Sequence, residues 1–295
     1  MNNCHLCPRN CGVDRTKQHG FCRTSAQITL ARAALHQWEE PCISGKNGSG
    51  TVFFVGCNLG CSFCQNKKIS RGNAGVEVTA ERFREILFAL RDKGAENINL
   101  VTPMHFATAI VDAISPIKKE LHIPIVCNTG GYDTVDTVKL MANIVDCFLP
   151  DFKFATSESA ELFCCAPNYP QVALSAIKEM VRNSGKPLLD ERGMLKKGTL
   201  VRHLILPGQR KDSIQALNLL SENIGCENIL LSLMSQYTPQ PDSKGQLARK
   251  ITEYEYRSVL EHALKLGFDG YMQDRSSAET FYTPSFNLEG VLEKN

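Results

Sequence analysis

From residue 51 onward the chain alternates short apolar segments with amphipathic ones, and no other feature restricts its fold as much. Candidate strands lie at 51–55, 97–101, 123–127, 144–149, 200–206, 229–233 and 270–272, bounded by Gly, Pro, Asn or Asp. Helical patterns at 79–93, 105–120, 134–142, 170–183, 212–224 and 252–266 separate them. In the first of these Phe83, Ile86, Leu87 and Leu90 share one face, and Thr79 is the N-cap candidate, with Arg82 where a capping box would need Glu or Gln. Such alternation implies an α/β fold with a parallel sheet and right-handed crossovers. Roughly six repeats are too few for the closed eight-fold barrel, so an open, partial β/α barrel over 51–295 is expected. In that architecture the functional loops follow the carboxyl ends of the strands, where Cys57, Thr102, Asn128, Asp151, Pro207 and Ser235 fall.

Residues 1–50 do not share this rhythm. They read as a cysteine-rich, metal-binding extension ending in the turn-forming stretch Ser44-Gly45-Lys46-Asn47-Gly48-Ser49-Gly50. The run Cys4-x2-Cys7-x3-Cys11-x10-Cys22 supplies four thiols within a short segment of little apolar content, which needs such a staple. Zinc is the first expectation there; an auxiliary [4Fe–4S] cluster is the alternative, and unmetallated thiols are the remaining reading. Thirteen cysteines with no apolar leader suggest a reducing, cytoplasmic setting in which thiols serve metals, not disulfides. Cys42, Cys127, Cys147, Cys164, Cys165 and Cys226 stand apart from the clusters, and most of them read as buried free thiols. A formal net charge of +2 gives no electrostatic footprint for nucleic acid, and no apolar run is long enough to span a bilayer.

A second cysteine group, Cys57, Cys61 and Cys64, lies directly after the first barrel strand in Gly56-Cys57-Asn58-Leu59-Gly60-Cys61-Ser62-Phe63-Cys64-Gln65-Asn66. A C-x3-C-x2-C triplet can hold three irons of a [4Fe–4S] cluster and leave the fourth open to bind a molecule. A zinc knuckle or three unrelated buried thiols is the bland alternative. The spacing, with an aromatic before the last cysteine, resembles the signature of the radical S-adenosylmethionine (SAM) enzymes. The resemblance implies that SAM chelates the open iron and is reductively cleaved, and that the resulting 5′-deoxyadenosyl radical abstracts hydrogen from a substrate. Flavodoxin or ferredoxin is the implied reductant, under anaerobic conditions.

Between about residues 50 and 210 the chain is similar to the pyruvate formate-lyase activating enzyme branch of that superfamily. The whole chain, with its amino-terminal cysteines, resembles an uncharacterised activating-enzyme-like subgroup. Phe63 is then expected near the adenine. Where that branch carries a Gly-Gly-Glu segment for the SAM amino group, this chain has Val101-Thr102-Pro103-Met104-His105, a departure that leaves Thr102 and its backbone at the matching place. Asn128 and Thr129 match part of a segment for the ribose or carboxylate of SAM. Asp151 and Lys153 are similar to the branch's Asp-x-Lys motif and, two apart on extended chain, face one cavity. In the strand containing Arg202 and His203, which point to opposite faces, His203 is the expected inward SAM contact. His105 is a weaker catalytic candidate. The polar, aromatic segments Gln236–Gln240 and 270–275 are expected on the substrate-facing rim. The resemblance favours an activase that installs a glycyl radical on a partner enzyme. Radical modification of a peptide or small metabolite is the alternative, and a non-catalytic iron–sulfur or zinc sensor is a third reading.

Overall fold

The structure, a computed structural model, describes residues 3–72, 74–272 and 284–292. Among the described residues there are ten strands: β1 (Thr29–His36), β2 (Ser49–Phe54), β3 (Val76–Glu77), β4 (Ile98–Val101), β5 (Ile125–Thr129), β6 (Cys147–Pro150), β7 (Leu188–Leu189), β8 (Leu195–Leu204), β9 (Leu230–Met234) and β10 (Gly270–Met272). They form one sheet in the order β10-β9-β8-β6-β5-β4-β2-β1-β3, with β7 beside β8. β2, β4, β5, β6, β8, β9 and β10 are mutually parallel, as the alternation requires. The order runs monotonically from β2 to β10 and, among the described residues, the two ends do not pair, so the barrel is open.

The helices follow local rules. Helix Ala80–Asp92 starts where the Thr79 hydroxyl accepts from the Arg82 amide, and it buries Phe83, Ile86, Leu87 and Leu90. Helix Glu253–Leu266 opens with a capping box between Thr252 and Glu255. The helix expected over 105–120 is instead interrupted: a 3₁₀ turn at Met104–Phe106, a helix at Ala107–Ile114, then a short helix at Lys118–Leu121. Ser115 is still helical, its amide donating to the Val111 carbonyl, but Pro116 has no amide hydrogen to carry the ladder on, which accounts for the break. A helix at Ser157–Cys164, outside the expected set, fills the connection after β6.

The extension is built into the same sheet. β1 pairs antiparallel with β2 from Leu30↔Phe54 to His36↔Ser49. Beyond β1, Cys42 and Ile43 enter an interior cluster with Val126, Cys147, Leu149, Leu195, Leu200 and Leu230, closing the concave side of the barrel. Residues 3–28 lie across the loops at the carboxyl ends of the strands. Arg9 donates to the carbonyls of Asn58 (2.8 Å) and Cys165 (2.7 Å), and the Thr137 hydroxyl donates to the Leu6 carbonyl. Arg15, 2% exposed, donates to the Thr24 hydroxyl and to the carbonyl of His105. No helix among the described residues is long and apolar enough to cross a membrane.

Candidate active site

β2 runs into Val55 and Gly56, and the chain then turns sharply into the three-cysteine loop. Gly56 has a φ of 84°, and a side-chain carbon there would stand 2.4 Å from the Cys22 carbonyl oxygen, so this turn demands glycine. The Gly56 amide donates to the Ile69 carbonyl at 2.9 Å, closing the loop's base. Its middle is held by amides of Gly60 and Ser62, which donate to the carbonyls of Cys164 and Phe163. Asn58 ties it to the β5 side through Nδ2 and the Tyr132 carbonyl.

Above the strand ends lies a cavity of about 230 Å³. Cys57, Cys61, Cys64, Phe63, Thr102, Asn128, Thr129, Asp151 and Lys153 all line it. Drawn from separate stretches between residues 57 and 153, these groups meet because each lies at or just after the carboxyl end of a parallel strand. Burial, with the neighbouring thiols, raises Cys57 and Cys64, whereas for Cys61 the contact with Cys164 comes before burial as the cause. Lys153 is the cation that all three feel. Its ammonium also stands 5.9 Å over the Phe63 ring.

A buried ionic network faces the thiols. Asp151 accepts from Arg202 Nε at 3.0 Å through Oδ1 and pairs with Lys153 through Oδ2. Arg202 also donates to Asn128 Oδ1 at 2.6 Å and reaches Glu39 Oε2 at 3.4 Å. Burial opposes the charge on Asp151, but Arg202 and Lys153 overcome it and hold its carboxyl below the usual carboxylate range. Glu39 has the longer share of Arg202, and burial pushes its carboxyl up. Glu39 and the neighbouring Trp38, both on the cavity wall, come from the extension.

Thr102 carries backbone strain at the place where the Gly-Gly-Glu segment is missing. Its φ is 61°, left-handed for a β-branched residue, and its amide donates to the Asn128 carbonyl at 2.7 Å. The Thr129 hydroxyl donates to Asp133 Oδ2 at 2.6 Å, while Asp133 Oδ1 is buried without a described partner. Burial, only partly offset by Thr129, raises the Asp133 carboxyl to about 7.

His203 corrects the sequence-based expectation. It is fully buried and off the cavity wall, on the face of β8 that packs on the helices; its Nδ1 donates to the Phe152 carbonyl at 2.6 Å. Arg202, the other residue of the pair, faces the cavity. The signal for this was present in chemistry: a guanidinium cannot shed its charge, so it must take the polar side, whereas a neutral imidazole tolerates burial. His105 also lies off the cavity wall. Its Nε2 donates to the Val55 carbonyl at 2.8 Å, fixing the end of β2, and burial lowers its pKa to about 3. Of the rim segments, Gln236 lines the cavity beside Met234 of β9, and Tyr237 is buried with its hydroxyl on the Leu247 carbonyl. Gln273, Asp274 and Arg275 lie outside the described residues.

The sequence profile of the Radical SAM superfamily matches residues 51–220, more than half of the chain. The chain belongs to the radical SAM superfamily. An uncharacterized protein of Methanocaldococcus jannaschii is 29% identical over 281 residues, covering 91% of this chain and 76% of that protein. Among solved structures, Streptococcus suis SuiB bound to S-adenosylmethionine is similar with a TM-score of 0.51 at 13% identity, over 74% of this chain. The match covers 48% of the SuiB chain, so this chain spans about half its length. Methylornithine synthase (PylB) is similar with a TM-score of 0.50 at 17% identity, over 72% of this chain and 63% of that one. At these identities the two structures establish the partial-barrel fold.

Radical SAM membership implies a [4Fe–4S] cluster and SAM, and the cavity's thiols suit the cluster. Among the described residues no three His, Cys, Asp or Glu side chains converge tightly enough to hold a single ion. A four-iron cluster makes a different demand, because each cysteine binds its own iron. Three partly exposed thiols on one cavity wall, facing a cation, suit an anionic cluster. At the amino terminus Cys7 feels Cys22, Cys11 and Cys4 as neighbours, and burial pushes its thiol up to about 12. Those four thiols are gathered without closing a tetrahedron.

Proposed function

We propose that this radical SAM enzyme cleaves SAM reductively at a cluster held by Cys57, Cys61 and Cys64, and abstracts hydrogen from a polypeptide. Its first assignment is activation of a partner enzyme by installing a glycyl radical. The carrying observation is that the three loop thiols share one buried cavity with the Asp151–Lys153 pair and Phe63. When bound, the cluster supplies the electron for SAM cleavage and SAM supplies the hydrogen-abstracting group.

In this reading the chain's residues bind, orient and exclude water. Lys153 and Arg202 offer positive charge to the SAM carboxylate, with Asp151 fixing both. Phe63 flanks the adenine, and Asn128 and Thr129 with the backbone at Thr102 take the ribose and amino ends. Flavodoxin or ferredoxin in a reducing cytoplasm is the inferred electron donor. We assign zinc to Cys4, Cys7, Cys11 and Cys22, as a staple under the cluster loop.

A second reading is modification of a short peptide. SuiB has been solved bound to its precursor peptide SuiA, and that structure is similar to this chain with a TM-score of 0.52 at 13% identity. The deciding experiment is anaerobic: reconstitute with iron and sulfide, add SAM and dithionite, and assay 5′-deoxyadenosine by mass spectrometry, with Cys57→Ala as control. Cysteine-dependent product supports the enzyme. Its absence from a fully loaded protein, with and without candidate polypeptides, supports the sensing alternative. A glycyl radical signal on a partner enzyme separates activase from peptide modification.

A further inference from the structure

Cys164 has no place in the site as described, yet its sulfur stands 3.2 Å from that of Cys61. The two residues are 103 apart in sequence. Cys164 ends the helix Ser157–Cys164 and is fully buried, and Cys61 is partly exposed on the cavity wall. Their backbones are clamped on both sides. The Gly60 amide donates to the Cys164 carbonyl at 3.1 Å, and the Ser62 amide donates to the Phe163 carbonyl at 2.9 Å. Two sulfurs 3.2 Å apart on hydrogen-bonded backbones need only roughly 1 Å of further approach to reach disulfide bonding distance. The next residue, Cys165, is exposed, and its carbonyl is held by Arg9, so the segment is also fastened from the extension.

We propose that Cys61 and Cys164 form a reversible disulfide in the cluster-free protein, and that this bond closes the cluster loop to iron until it is reduced. The inference rests on the reading that Cys61 is a cluster ligand. A sulfur cannot at once ligate iron as a thiolate and be half of a disulfide, so the two states exclude each other. The chemistry is exchange with a low-molecular-weight disulfide such as oxidised glutathione. The Cys61 thiolate, being the accessible one, attacks the disulfide and releases one glutathione thiolate. Cys164, deprotonated, then attacks the Cys61 sulfur and releases the second. Two protein thiols are oxidised to one disulfide and one glutathione disulfide is reduced to two thiols, each departing thiolate taking up a proton lost from the protein. Excess small thiol runs the sequence backwards.

The test uses the full chain, freed of metal and reduced, then treated anaerobically with oxidised glutathione, alkylated, digested and analysed by mass spectrometry. The expected product links the segment holding Cys61 to the segment holding Cys164. It persists in Cys165→Ser and Cys57→Ser and disappears in Cys164→Ser, with Cys164→Ala as a second variant. Oxidised protein should take up iron and sulfide at least tenfold more slowly than reduced protein, by absorbance, and dithiothreitol should restore the rate. Oxidised Cys164→Ser should load like the reduced protein. Failure of the cross-link to form, its persistence in Cys164→Ser, or equal loading of oxidised and reduced protein would overturn the proposal. If the reduced wild-type chain itself loads no cluster, the assignment of Cys61 as a ligand fails instead, and the cross-link result stands separately.

Discussion

Arg202 reaches Asp151 with its Nε–H at 3.0 Å, joining β8 to the segment after β6 across the wall of the cavity. The same guanidinium donates to Asn128 from β5 and reaches Glu39 from the extension, so one side chain ties four parts of the chain together. A planar fork with several donors can serve these acceptors at once, which a lysine ammonium on a flexible stem cannot match.

Arg202→Lys is therefore expected to weaken SAM binding by roughly tenfold or more. Arg202→Ala, which leaves Asp151 and Glu39 short of a buried partner, is expected to cost about 3–5 kcal/mol of stability as well. Isothermal titration with SAM and urea unfolding check the two effects. Wild-type affinity in Arg202→Lys would remove Arg202 from the binding machinery.

Thr102→Gly relieves a left-handed β-branched residue but gives the unfolded chain more freedom. The strain relieved, about 1–3 kcal/mol, exceeds the entropy cost of about 0.4–1 kcal/mol, so the substitution should be neutral to mildly stabilising. Thr102→Ala keeps the strain and loses the packing, and should be the less stable of the two by about 1 kcal/mol. Paired denaturation curves decide the order; Ala above Gly would mean that the positive φ carries no cost here.

Asp133 makes a pH prediction. Its carboxyl is raised to about 7 in the folded chain, against about 3.9 when unfolded. Between those values the folded state holds the extra proton. The group's stabilising contribution is thus complete below the unfolded value and is lost as pH rises to about 7. Asp133→Asn, a neutral mimic, should gain on the wild type across that window by at most about 1.4 kcal/mol per pH unit, and then by a constant amount. Thermal midpoints of both proteins from pH 4 to pH 8 measure the difference, and a difference independent of pH would contradict it.

Cys7→Ala separates the two cysteine groups. Loss of one staple thiol should lower stability by about 2 kcal/mol or more while the loaded cluster still cleaves SAM. Calorimetry and the 5′-deoxyadenosine assay read these independently. Complete loss of cleavage in a folded Cys7→Ala protein with its loop cluster intact would overturn this division of labour.

The parallel strands and the cluster loop were legible because their signals are local: apolar runs, turn residues and a fixed thiol spacing. What escaped was decided by tertiary context. β1 reads Thr-Leu-Ala-Arg-Ala-Ala-Leu-His, with alanines that suit a helix as well, and only pairing with β2 makes it a strand. Glu39 and Trp38 were invisible as site residues for the same reason, since nothing in their neighbourhood announces a cavity. At Arg202 and His203 the two-residue period gave opposite faces without saying which was inward. Val201 and Ile205 answer it, by joining the buried cluster of Ala216, Leu217 and Leu220 on the helix side of the sheet.

β1 has a further meaning for how this chain can be handled. It covers the flank of β2, whose other flank is taken by β4. A version trimmed to the family-matching region would keep only residues 51–54 of β2, with bare amides and carbonyls along one side, a template for any other extended chain. Such a fragment would be expected to self-associate through β2 before it told anyone about catalysis. The first fifty residues thus act as the protein's own guard against mispairing, as well as one wall of its cavity.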